Sequence, residues 1–126
     1  MRVYTSGRTD APAILLLPGT CCDWESNFGK VIPLLSREFH ITRESVKNQF
    51  YSDLITPLPM HIDPPDTEIH ILYATKMGEK YRKRYTDHFA HPILHEQDLQ
   101  HEELLVCYPE QWAALVTDIL NGKSQS

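Results

Sequence analysis

A chain of 126 residues with 41% apolar residues, 23% charged residues and no low-complexity tract has the size and composition of one globular domain. Its formal charge of −5 sets it against polyanions, and its one dense basic run, Lys80-Tyr81-Arg82-Lys83-Arg84, has the pattern of a solvated helix face, so nucleic acid is not an expected partner. No apolar run approaches the roughly 20 residues a bilayer crossing needs, and MRVYTSGRTD lacks the apolar core of a secretion signal, so the expectation is a cytoplasmic protein without a membrane partner.

In chain order, residues 2–6 are a short strand candidate closed by Gly7. Residues 13–17 form a continuous apolar run ended by Pro18-Gly19, the pattern of a strand buried on both faces. Asp23 is placed to cap a helix on which Trp24, Phe28, Val31 and Leu35 make one apolar stripe. EFHIT (38–42) opens another strand, and a second helix is predicted over 43–54 with Val46, Phe50 and Leu54 on one face. Residues 56–67 hold four of the nine prolines and read as a loop. A second buried-type strand covers 69–74. Gly78 then breaks the chain before a helix over 79–89 that aligns Tyr81, Tyr85 and Phe89. A third such strand covers 92–98. Pro109 opens a last helix carrying Trp112, Leu115, Val116 and Ile119, and Asn121-Gly122 stops it. With no internal repeat and no second-domain boundary, this alternation predicts a single α/β domain: a small, mostly parallel sheet flanked by helices.

Cys21, Cys22 and Cys107 are an odd set without regular spacing, which is not a disulfide framework, and adjacent cysteines bridge only under strain. There is no CxxC pair to suggest structural zinc. His95 and His101 lie near Glu96, Asp98, Glu102 and Glu103, but H-x5-H is not a ligand spacing, so neither metal nor cofactor is expected. His61, His88 and His91 read as surface residues.

Sites in open parallel sheets lie beyond the carboxyl ends of the strands. Here those ends are residues 18–23, 75–79 and 99–103, which bring a Gly19-Thr20-Cys21-Cys22 turn, Glu79 and His101. A loop of backbone N–H groups, a carboxylate and an imidazole are the parts of acyl-transfer chemistry, without a nucleophile. Each has a plainer structural reading. His101 reads equally as a loop imidazole bonded to Glu102, Glu103 or backbone. Glu79 suits a helix start, and Asp98 is an alternative acid.

Three stretches carry a resemblance. ILLLPGTCCDWESNFGKVIPLL is similar to the α/β-hydrolase segment in which a strand leads to the oxyanion loop and then to an amphipathic helix. TEIHILYATKMGEKY resembles the family's late strand and the turn that often carries the triad acid. HPILHEQDLQHEELLVCYPEQWAALVTDIL resembles the last strand, the catalytic-histidine loop and the C-terminal helix. The resemblance covers two blocks, 1–42 and 43–126. It implies a truncated α/β-hydrolase-like three-layer sandwich and a small acyl substrate, with Gly19, Thr20 and Cys21 as the oxyanion loop, Glu79 as the acid and His101 as the base.

The family's G-x-S-x-G elbow is missing: no two of Gly7, Gly19, Gly29, Gly78 and Gly122 bracket a serine at that spacing. The nucleophile strand and its follower are missing with it. Their loss leaves either a smaller directly paired sheet or edges covered by a second copy, which makes a homo-oligomer an expected partner arrangement. The chain therefore reads as an esterase-like hydrolase that is inactive or very weak alone, or as a non-catalytic binding or self-assembly module. A third reading makes Cys21 or Cys22 the nucleophile, its thiol acidified at a helix N-terminus and deprotonated by His101. Against it, Asp23 stands where the second elbow glycine belongs.

Overall fold

The computed structural model describes residues 3–18, 23–44 and 60–122. The chain divides into two compact units, one of residues 1–56 with 105–126 and one of residues 57–104. Among the described residues no helix is long and apolar enough to cross a membrane.

In the first unit β1 (Val3–Gly7), β2 (Ala13–Leu16) and β3 (His40–Glu44) form a sheet in the order β1-β3-β2. β3 runs parallel to β2 and antiparallel to β1. The apolar run of β2 is buried on one face only. Ile14 and Leu16 join the core, whereas Leu15 is 60% and Leu17 54% exposed. A purely apolar run does not reveal whether a second layer covers its other face, which is why two-faced burial was predicted.

Asp23 caps α1 (Trp24–Phe28) as expected: its carboxylate accepts the Ser26 backbone N–H at 2.7 Å, and the Ser26 hydroxyl accepts the Asp23 N–H at 3.3 Å. The predicted stripe through Leu35 does not lie on one continuous helix. A turn at residues 29–31 separates α1 from α2 (Ile32–Leu35), because Pro33 cannot donate to the carbonyl four residues back and its ring would clash there. The stripe still reaches the core. Val31 and Leu35 are fully buried, and Trp24 and Phe28 pack against the core cluster of Leu16, Ile32, Leu35, Phe39, Ile41 and Ala113.

β3 extends beyond the predicted 42. Arg43 and Glu44 pair with Tyr4 and Val3 of β1 instead of starting a helix. The Arg43 guanidinium lies 4.2 Å from the Trp24 ring centroid, and its Nη1 donates to Ser6 Oγ at 2.8 Å. These long-range contacts outweigh the local helical pattern. The rest of that predicted helix lies outside the described residues.

α4 (Glu103–Cys107) and α5 (Pro109–Leu120) close the described chain. Pro109 sits at the start of α5, Ala113 is buried in the core, and Trp112 and Val116 pack on it.

In the second unit β4 (His70–Ala74) and β5 (Ile93–Gln97) are parallel neighbours joined through a 3₁₀ turn (Thr75–Met77) and α3 (Glu79–His88). The Tyr73 hydroxyl donates to the Gly78 carbonyl at 2.7 Å, fixing the turn that leads into α3. The basic run on α3 is largely solvated as predicted, but Tyr81 is also exposed, so the aromatic stripe is only partly covered. Among the described residues the architecture is thus a mixture of helices and strands in two small sheets, with two of the three ladders parallel.

Candidate functional site

The carboxyl ends of β4 and β5 are tied together. The Lys76 N–H donates to the Leu99 carbonyl at 3.3 Å, and Thr75 Oγ1 donates to Asp98 Oδ1 at 3.2 Å. The loop after β5 is held by Glu103, whose carboxylate accepts the Gln100 N–H at 2.7 Å. His101 sits on this loop with its side chain 70% exposed, and the carboxylate oxygen beside it is that of Glu102, 3.9 Å from Nε2. Glu79 is 80% exposed in the first turn of α3, with its carboxylate 3.8 Å from Arg82 Nη1. No hydrogen bond joins His101 to Glu79 or to Asp98 among the described residues. The predicted oxyanion loop, Gly19, Thr20 and Cys21, lies outside the described residues, as does Cys22. Cys107 is an exposed free thiol.

What His101 does border is a groove of about 620 Å³ lined by Met77, Tyr81, Arg84, Tyr85 and His101. Tyr81 and Tyr85 are four residues apart on α3 and so share one of its faces, while Met77 lines the groove from the 3₁₀ turn before Gly78. The Tyr85 ring meets the buried Tyr73 edge-on at 6.1 Å, and the Arg84 guanidinium lies 5.8 Å from the Tyr81 ring centroid.

A second cluster had been overlooked in the sequence. Across the β4–β5 ladder His70 Nδ1 lies 3.0 Å from His95 Nε2, and His70 Nε2 lies 3.1 Å from Glu68 Oε2. Carboxylate contact makes His70 Nε2 the protonated nitrogen, so Nδ1 of neutral His70 accepts and His95 Nε2 donates. With these tautomers Glu68, His70 and His95 form one hydrogen-bonded chain. Its signal was the strand alternation in IHILYA and PILHEQ. Parallel register pairs Leu72 with His95 and so places His70 and His95 on one face. Among the described residues, no three His, Cys, Asp or Glu side chains are placed to hold a metal ion.

Partial burial, then the neighbouring His70, pushes His95 below the ordinary histidine value of 6.5. Among the described residues His70 is the titratable group hydrogen-bonded to His95 and Glu68 the one bonded to His70, while Glu96, next along β5, is held by Arg82 of α3 at 2.7 Å. The unfolded chain protonates His95 first. Stability is therefore complete above about 6.5 and declines as pH falls through that value, until folded His95 also protonates. Urea unfolding at successively lower pH should show this decline, and it should be shallower in His95→Gln. An equal slope in that variant would assign the acid sensitivity elsewhere.

Compared with family models, curated proteins and solved structures, the chain has no match among any of the three.

Proposed function

We propose that this chain is a non-catalytic small-molecule binding module on a reduced α/β-hydrolase-like frame, a nominal acyl hydrolase that keeps a ligand groove without efficient turnover. Three features support the frame: β3 lies beside β2, β5 follows β4 through a helical connection, and a histidine loop comes directly after β5. The observation that carries the functional reading is the composition of the groove. His101 lines it without a hydrogen-bonded carboxylate among the described residues, and the described lining contains no serine or cysteine for the imidazole to activate. The sequence supplies no elbow serine either. An imidazole without a nucleophile or an orienting acid still donates and accepts hydrogen bonds, which suits holding a ligand.

Hydrolysis of p-nitrophenyl butyrate by the wild-type chain and by His101→Ala tests this. Neither protein should show saturable turnover. Saturable turnover in the wild type that His101→Ala abolishes would make the chain an esterase and overturn the binding-only reading.

A further inference from the structure

The groove beside His101 also has a chemical preference. Its apolar lining is Met77, Tyr81 and Tyr85, two aromatic rings and a thioether. Tyr85 also meets Tyr73 edge-on, and the Tyr73 hydroxyl is engaged by the Gly78 carbonyl, so this part of the lining has a fixed support. Flat apolar ligands stack on such rings in offset or edge-on contact.

The charged part of the lining is different in kind. Of the four Lys and Arg side chains on α3, two are answered by carboxylates: Arg82 by Glu96 at 2.7 Å and Glu79 at 3.8 Å, and Lys83 by Asp87. Arg84 lines the groove, lies over the Tyr81 ring and has no carboxylate partner among the described residues. A guanidinium presents a planar fork of N–H donors that matches a carboxylate at two points. His101 adds an imidazole donor on the same groove, with Glu102 nearby at 3.9 Å but not bonded to it.

Resting on the proposal that this groove is a binding site, we infer that it selects a small aromatic carboxylate. The flat body lies on Tyr81 and Tyr85 beside Met77, and the carboxylate is taken by Arg84 with help from His101. The chain as a whole is acidic, at −5, and Arg84 is the cation that lines this groove, which gives an anion a reason to settle beside the two rings.

The test is a titration of the full chain with naphthalene-2-carboxylate and with naphthalene-2-carboxamide, which has the same flat body without the charge. Binding is followed through the backbone amide signals of residues 77–85 and 101. The carboxylate should move these signals and bind about three- to fivefold more tightly than the amide, the scale of a solvent-exposed ion pair. Arg84→Gln should bring the carboxylate down to the affinity of the amide and leave the amide unchanged. Arg84 is exposed, so the fold of this variant is checked by the unchanged signals of β4 and β5 in the same unit. Equal affinity of the two probes at this groove, or a preference that survives in Arg84→Gln, overturns the anion selectivity while leaving a binding groove in place. Failure of both probes to move these signals overturns the binding site itself. Ester turnover, read separately, bears only on whether that site is catalytic.

Discussion

Ile41→Ala should lower the stability of the chain by about 3–4 kcal/mol, within the range for truncating a fully buried Ile or Leu. Ile41 sits in the central strand of the three-stranded sheet, opposite Ser6 of β1 and Ile14 of β2, and is 0% exposed. It shares one cluster with Leu16, Ile32, Leu35, Phe39 and Ala113, drawn from β2, α2, the turn before β3, and α5. Removing its side chain loses the transfer of the deleted carbons and leaves a void that neighbours on three sides cannot all close at once. Against a total of about 5–15 kcal/mol for an ordinary domain, that loss is large. It is read as a lower urea midpoint at unchanged slope. Leu15→Ala is the control. It removes an apolar side chain from the exposed face of the neighbouring strand and should cost no more than about 0.5 kcal/mol. Similar losses for the two variants would mean that the sheet buries both faces or neither.

Gly7→Ala is the second large effect, expected at about 2–4 kcal/mol, and it acts through the backbone instead of the core. Gly7 ends β1 at φ +90°, a conformation that a side-chain-bearing L-residue adopts only at a cost of about 1–2 kcal/mol. A Cβ there would also fall 2.2 Å from the Phe39 carbonyl oxygen and 3.1 Å from Ser36 Cα. Both belong to main chain, so no rotamer change relieves the clash. The same carbonyl accepts the Arg8 N–H at 3.3 Å, so pushing it away loosens the turn out of β1 as well. Gly122→Ala separates the two causes. At φ +68° it carries the conformational cost, but nothing lies within 4 Å of its would-be Cβ. Gly122→Ala should therefore lose only about 1 kcal/mol. A loss at Gly7 no greater than that at Gly122 would remove the steric part of the explanation.

What could be read from the sequence follows a physical boundary between local and long-range information. Asp23 capping α1, Pro109 opening α5 and Gly122 ending it are decided within a few residues, and each was legible. The strands at 13–17, 69–74 and 92–98 announced themselves by apolar content bounded by turn residues. Pro33 was a local signal too, but the spacing of Trp24, Phe28, Val31 and Leu35 hid it, since a turn between α1 and α2 preserves the stripe without preserving the helix. Arg43 was not legible. Nothing near it in sequence says that its guanidinium will find Trp24 and Ser6 and hold it in β3.

The same boundary runs through the candidate site. The loop carrying His101 was expected after the last strand and is there, because strand-to-loop order is local. Whether a carboxylate reaches it depends on where Glu79 and Asp98 point, and those two engage Arg82 and Thr75. His70 and His95 are 25 residues apart, so only the register of β4 on β5 makes them neighbours.

Among the described residues β2 is a four-residue strand at the edge of its sheet, with Pro12 before it and Pro18 beyond its end. Its exposed leucines make it adhesive, yet a proline nitrogen has no hydrogen to give to an incoming strand. Between Pro12 and Pro18 a foreign chain laid along this edge meets five residues with a backbone N–H, short of the six or seven residues of an interlocked fibril core. The two prolines let the surface stay greasy while keeping it a poor seed for growth by strand addition.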